Sequence, residues 1–209
     1  MLELTEVQKS FGTNKVLDIP VHSFSPGIYW IKGANGSGKS TLLSILAGLL
    51  PFKGSITLNN QVSLRQQPSM YRKLLNYAPA EPIYPSFISG DELVSFTSRI
   101  KGGSPAQTRS VCEMLQIGRY TANPTGSYSS GMLKKLSLLT AFIGNPEWIL
   151  LDEPFTTLDA DAQKALYLLI RERRQQGVSF ILTSHHDVEP SDIKFDGVFL
   201  LANGKLTPS

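Results

Sequence analysis

Apolar and polar residues alternate over 2–9 and again over 15–21, with Gly12-Thr13-Asn14 between them. That pattern predicts two strands joined as an antiparallel hairpin. Residues 27–31 form a short apolar run of the kind a fully buried strand makes, and it ends in a glycine-rich loop. A helical pattern over 40–47 follows, Pro51 marks its end, and 54–59 reads as a further strand. Beyond 125 the pattern alternates regularly. It predicts a helix at 129–142, a strand at 148–152, a helix at 160–175, a strand at 178–183 and a last strand near 198–201. Strands alternating with helices predict an α/β fold with a mainly parallel sheet and an antiparallel β region at the N-terminus.

The stretch 82–125 breaks this rhythm. Pro82, Pro85, Pro105 and Pro124 punctuate it, and its periodic segments, 91–99 and 106–115, are helical. A helical insertion in a single domain spanning 1–209 accounts for it, leaving 1–81 and 126–209 as the core.

The 209 residues include 41% apolar and 18% charged positions, enough for a substantial core and too few charges for a disordered chain. A formal net charge of +3 is too mild to point to nucleic acid. No apolar run reaches the roughly 18 residues of a membrane span, and the first residues lack signal-peptide character. Cys112, the single cysteine, has no intrachain partner, so a reducing cytoplasm is the expected compartment.

Chemistry enters at Gly33-Ala34-Asn35-Gly36-Ser37-Gly38-Lys39-Ser40, which fits G-x-x-x-x-G-K-[ST] with a strand before it and a helix after it. The glycines allow successive backbone N–H groups to face inward, and the helix N-terminus adds its own donors, making a nest for phosphate oxygens. Lys39 supplies a point charge for the β- and γ-phosphates, and Ser40 a hydroxyl for Mg²⁺. Thr41 follows as the next member of the phosphate-binding set. This chain is therefore expected to bind a nucleoside triphosphate. No Asn-Lys-x-Asp follows a later strand, which argues against a GTPase.

The apolar run 147–151 leads directly into Asp152-Glu153-Pro154. Two carboxylates at the end of a buried strand sit at the carboxyl edge of the sheet, where α/β proteins bind ligands. Asp152 is the expected Mg²⁺ residue, and Glu153 is placed to orient and deprotonate a water. Asp159 is expected among the nucleotide-binding residues and can also cap the next helix. His185, after the strand at 178–183, can donate a hydrogen bond to a γ-phosphate.

With these residues in this order, the chain resembles the ATP-binding cassette (ABC) ATPases, the nucleotide-binding subunits of ABC transporters, along essentially its whole length. Tyr128-Ser129-Ser130-Gly131-Met132 stands where that family has L-S-G-G-Q. The resemblance implies that 82–125 is the family's helical subdomain and that Phe11 stacks on adenine. It further implies that Ser129, Ser130 and Gly131 contact the γ-phosphate held by a second ABC subunit, with two ATP molecules at a head-to-tail dimer interface. Helical spacing puts Met132, Leu133, Leu136, Leu139, Thr140 and Ile143 on one stripe, with Lys134 and Lys135 off it.

Three departures qualify the resemblance. Ser130 and Met132 replace the first glycine and the glutamine of the signature. Ala80, in Asn76-Tyr77-Ala78-Pro79-Ala80-Glu81-Pro82, stands where the family has glutamine, and Glu81 is the neighbouring candidate to replace it. The chain also stops soon after its last strand, so no regulatory domain is expected.

The expected function is an ATPase subunit, peripheral on the cytoplasmic face of a membrane, powering a permease on a separate chain without direct contact to nucleic acid. Two alternatives stand beside it: a soluble ABC ATPase acting on ribosomes or DNA, and a weakly hydrolysing regulatory subunit. Arg171, Arg173 and Arg174 read as a solvated helix face, which disfavours the first. Ala80 and Ser130 motivate the second.

Overall fold

The computed structural model describes residues 1–184 and 193–209. Strands β1 (Leu2–Phe11) and β2 (Asn14–Phe24) form the expected hairpin, β3 (Ile28–Lys32) enters the glycine-rich loop and α1 (Lys39–Leu46) leaves it. Next come β4 (Lys53–Leu58), β5 (Val62–Ser63), α2 (Pro68–Leu74) and β6 (Leu75–Ala78). The proline-punctuated stretch holds α3 (Gly90–Lys101) and α4 (Pro105–Met114). The remainder is α5 (Ser130–Ala141), β7 (Trp148–Leu151), α6 (Ala160–Gln175), β8 (Ser179–Ser184), β9 (Gly197–Ala202) and β10 (Lys205–Pro208).

Two sheets result. One is antiparallel, in the order β2-β1-β4-β5. The other runs β10-β9-β3-β8-β7-β6 and is parallel throughout except for the β9–β10 hairpin. The central strands of this second sheet are buried on both faces, so apolar runs at 28–31, 148–151 and 180–182 replace alternation in them. The period of two is still present in where the side chains go. Ile149, Leu151, Phe180 and Leu182 join the core under α5 and α6, while Trp148, Leu150 and Ile181 join the core shared with α1 and the antiparallel sheet. Each such side chain contributes about 1.5–3 kcal/mol on burial.

Parallel strands all deliver their carboxyl ends to one edge. Register places Lys32 opposite Ser184, Leu151 opposite Leu182, and Ala78 opposite Leu151. The glycine-rich loop, Asp152 and the Ala80 turn therefore emerge side by side.

The helices carry local signals for their starts. Ser89 and Glu92 make a reciprocal capping box on α3, Ser104 caps α4, and Asp159 caps α6 by accepting from the Ala162 N–H at 2.8 Å. Helix α5 begins at Ser130, with Thr125–Ser127 forming a separate 3₁₀ turn ahead of it.

Two basic residues sit differently from the sequence expectation. Arg173 is buried, not solvated, because its guanidinium donates to the Phe142 carbonyl at 2.7 Å and to Gln176 Oε1 at 2.9 Å. Lys134 lies off the apolar stripe of α5 yet is only 1% exposed. The cause is that α5 is enclosed nearly all round: Leu136, Ser137, Leu138, Leu139 and Ala141 are buried with it.

Candidate functional site

The loop between β3 and α1 is shaped by what its glycines permit. Gly36 and Gly38 have φ of 79° and 102°, values an L-residue rarely adopts, and Gly38 is the residue from which α1 starts. At Gly33 a Cβ would meet Ser37 Oγ at 2.5 Å and the Leu201 carbonyl at 2.7 Å, so the loop closes against β9 only because no side chain is there. Ser40, in the first turn of α1, is exposed, and Thr41 next to it is half-buried. Ala34, Asn35 and Gly36 are exposed along the loop. The buried Ser37 Oγ has no hydrogen-bond partner among the described residues.

Lys39 reaches back through the loop it follows. Its ammonium, 6% exposed, donates to the Gly33 carbonyl at 2.7 Å and the Ala34 carbonyl at 3.2 Å, and lies 3.8 Å from Glu153 Oε1. Residues far apart in sequence thus place a cation and a carboxylate in one desolvated spot.

Asp152 stands beside this pair, 1% exposed. Its Oδ1 accepts from Thr183 Oγ1 at 2.5 Å, its Oδ2 accepts from the Tyr77 hydroxyl at 3.4 Å, and its own N–H donates to the Ala78 carbonyl at 2.9 Å. Burial, with the Asp152 charge adding to it, pushes the Tyr77 phenol well above its usual pKa, so Tyr77 remains a proton donor. Asp152 is therefore held from both neighbouring strands. Ser40 and Asp152 offer a hydroxyl and a carboxylate, hard oxygen donors of the kind Mg²⁺ takes.

Glu153 adopts φ of 46°, in the left-handed region, which costs a non-glycine residue roughly 1–2 kcal/mol. Its N–H donates to Thr183 Oγ1 at 3.0 Å and its carbonyl accepts from Thr156 Oγ1 at 2.7 Å. Thr183 thus braces both carboxylate residues. Neither Tyr77 nor Thr183 is singled out by the sequence reading. The only signal for them is position: each lies on a strand that ends at this edge.

The signature residues form a separate place on the surface. Ser129 and Ser130 are exposed, and Ser129 Oγ caps its own helix by accepting from the Met132 N–H at 3.3 Å. A Cβ on Gly131 would come within 3.0 Å of the Thr157 carbonyl, so the helix start packs closely on the turn that follows Glu153. Lys135 strengthens that junction with a 2.8 Å ion pair to Asp159. Hydrogen bonding from Lys135 holds the Asp159 carboxyl below its usual pKa.

Lys134 joins the two places. Its ammonium donates to the carbonyls of Pro79 at 3.0 Å, Ala80 at 3.1 Å and Asp152 at 2.8 Å. Burial lowers its pKa to about 8, although the Asp152 and Glu153 charges favour its charged form. Hydrogen bonds to a charged group contribute about 1.5–3 kcal/mol each, which offsets the cost of withdrawing the ammonium from water. The Ala80 methyl offers no polar group, and Glu81 beside it is exposed.

Phe11, at the end of β1, is 52% exposed, with the Lys9 ammonium 4.8 Å above its ring. Between the hairpin end at Asn14, Lys15 and Val16, the loop and the β9–β10 turn lies a cavity of about 470 Å³. His185, expected to face a γ-phosphate, lies outside the described residues.

A second concavity, of about 490 Å³, lies between the end of α1, β6 and α3. Ala47, Leu49, Leu75, Pro82, Ile83 and Leu93 make it largely apolar, with Arg72 and Lys101 also on its wall. Leu49, Ile83 and the nearby Phe87 are well exposed, Ile83 at 91%.

Known proteins match this arrangement. The family model for ABC transporters fits residues 18–156. ABC transporter A family member 2 of Arabidopsis thaliana is 32% identical over 188 residues, covering 86% of this chain and 19% of its own length. The chain thus spans about a fifth of that relative. An uncharacterized ABC transporter ATP-binding protein of Bacillus subtilis is 30% identical over 213 residues, covering 99% of this chain and 70% of the relative. Among solved structures, the ATP-binding subunit of an ABC transporter superposes with a TM-score of 0.88 at 25% identity, over 99% of this chain and 88% of its own. An ATP-binding cassette captured as a dimer with ADP and Pi shares the fold, with a TM-score of 0.82 at 19% identity over 99% of this chain and 96% of its own.

Proposed function

This chain belongs to the ABC transporter family, and on that premise we propose that it is the ATP-hydrolysing subunit of a transporter whose membrane passage is a permease on a separate chain. The observation that carries the enzymatic half is the convergence of Lys39 and Glu153 at 3.8 Å beside the buried Asp152. Backbone donors of the loop and the α1 N-terminus bind the phosphates, and Lys39 neutralises charge on the γ-phosphoryl group. Glu153 accepts the proton of the attacking water and orients it for in-line displacement. Ser40 and Asp152 would hold Mg²⁺, which would supply positive charge to offset that of the phosphates. Phe11 provides an exposed aromatic face for the base. His185 is proposed as a donor to the γ-phosphate on the strength of its position after β8.

The exposed start of α5, at Ser129, Ser130 and Gly131, is proposed to close on the ATP held by a second ABC subunit. The related cassette seen as a dimer supports this reading. Dimer closure and reopening would then move α3 and α4, which we propose form a helical subdomain, together with the permease docked beside them. The apolar groove lined by Leu49 and Ile83 supports docking of a permease segment, and no described helix is long and apolar enough to cross a membrane itself. The working location is the cytoplasmic face of that membrane.

The test is recovery of the tagged Glu153→Gln chain with ATP from gently solubilised native membranes. Co-purification of a multi-spanning protein is the expected result. Ribosomal or DNA-associated partners without any membrane protein would overturn the transporter reading.

A further inference from the structure

Lys134 spends all three of its donors on backbone carbonyls from two distant segments. Two of these, Pro79 and Ala80, belong to the turn after β6, and the third is Asp152 at the end of β7. Tyr77, Asp152 and Thr183 are joined by hydrogen bonds of their own, so the turn, the carboxylate strand and the base of α5 meet at one ammonium. Four residues before Lys134, α5 starts with Ser130, and the Gly131 backbone packs on Thr157 in the segment that continues from Glu153. Helix α5 is thus tied to the carboxylate pair from both sides, through Lys134 behind it and Thr157 in front.

The turn has no other side chain suited to the task. Ala80 carries only a methyl and Glu81 points to the surface, so communication through that turn must pass through its backbone. A lysine is suited to this, because three rotatable donors on one point charge can gather carbonyls that no planar amide could reach together.

We propose that Lys134 is a positioning residue that seats helix α5 against Asp152 and the Ala80 turn, so that movement of the helix start is transmitted to the orientation of the carboxylate pair. The transmitted effect on hydrolysis rests on the ATPase reading above; the seating itself does not. A displacement near 1 Å at a reacting group costs on the order of 100-fold in rate, so a small loosening suffices.

The experiment compares Lys134→Met, Lys134→Gln and Lys134→Arg with the unmodified chain. Hydrogen exchange followed by mass spectrometry, without nucleotide, reads the seating. Peptides covering 78–81 and 151–154 should exchange together about 10-fold faster in the Met and Gln variants and return toward the original rate in Arg. Steady-state hydrolysis should show kcat lowered about 100-fold in Met with KM for ATP changed less than about 3-fold, and substantial recovery in Arg. Unchanged exchange in both segments would overturn the proposal, as would faster exchange spread over the whole molecule. Coordinated exchange changes in a chain that hydrolyses no ATP would instead overturn the ATPase reading and leave the seating role established.

Discussion

The Lys39 ammonium and the Glu153 carboxylate lie 3.8 Å apart, both largely withdrawn from solvent, although Lys39 opens α1 and Glu153 lies just beyond β7. The two have separable roles in the proposed hydrolysis. Glu153→Gln keeps the shape and loses the proton acceptor, so ATP binding should persist while steady-state hydrolysis falls by about 100-fold or more. Lys39→Ala removes the charge facing the phosphates and should weaken ATP binding by roughly 30–100-fold. Isothermal titration with ATP and a phosphate-release assay on both variants decide this. Near-normal turnover in Glu153→Gln would remove Glu153 from the chemistry.

Gly33 is a second place where one atom matters. A methyl there meets Ser37 Oγ at 2.5 Å and the Leu201 carbonyl at 2.7 Å, one a movable hydroxyl and the other fixed in a strand. Gly33→Ala should therefore push the loop off β9 at a cost of about 1–3 kcal/mol. ATP affinity is expected to fall about 10-fold or more, with a small drop in melting temperature. Affinity equal to that of the unmodified chain would mean the loop does not need its close approach to β9.

Much of this site is legible in the sequence, because a phosphate loop is written in its glycines and a carboxylate pair in the apolar run before it. Asp159 is likewise readable as a cap from its place before a helical pattern. What escapes is long-range. The bonds of Asp152 to Tyr77 and Thr183 join residues 75 and 31 positions apart and depend on strand order, which no local pattern encodes. Lys134 escapes because a lysine off an apolar stripe is ordinarily solvated; only the all-round enclosure of α5 reverses that. Helix α2 and strands β5 and β10 are short, and Pro208 within β10 argues against a strand until its partner is known.

Asp159 does two jobs that substitution can separate. It caps α6 through the Ala162 N–H at 2.8 Å and pairs with Lys135 at 2.8 Å. Asp159→Asn keeps the cap and loses the charge; Asp159→Ala loses both. Urea unfolding should show a loss of about 1 kcal/mol for Ala and much less for Asn, since exposed ion pairs contribute little. Equal losses in the two variants would assign the stability to the ion pair instead.

His22 predicts the acid side of the stability profile. Its ring packs edge-on against Phe24 at 4.4 Å and Phe199 at 4.8 Å, and its buried Nε2 has no hydrogen-bond partner among the described residues. Burial lowers its pKa in the folded chain, so the neutral ring is favoured there more than in the unfolded chain. The contribution is complete above the unfolded value of about 6.5 and is lost as pH falls through the folded value. Melting temperatures measured from pH 7.5 to 5 should decline less steeply in His22→Phe, which keeps an aromatic ring and cannot charge. Parallel profiles for the two chains would show that another group governs this range.

Ile83 separates docking from catalysis. It is 91% exposed on the wall of the groove shared with Leu49 and Leu93, on the turn that follows Ala80. An aliphatic side chain so open to water contributes little to the fold, so Ile83→Asp should leave the melting temperature and the ATP affinity of the isolated chain unchanged. A carboxylate in the groove would have to be desolvated by an apolar permease segment, at a cost of several kcal/mol. Co-purification of the permease with the Ile83→Asp, Glu153→Gln double variant should therefore drop by at least about 10-fold relative to Glu153→Gln alone. Undiminished recovery of the membrane partner would place its docking site elsewhere on the molecule and leave the groove without that role.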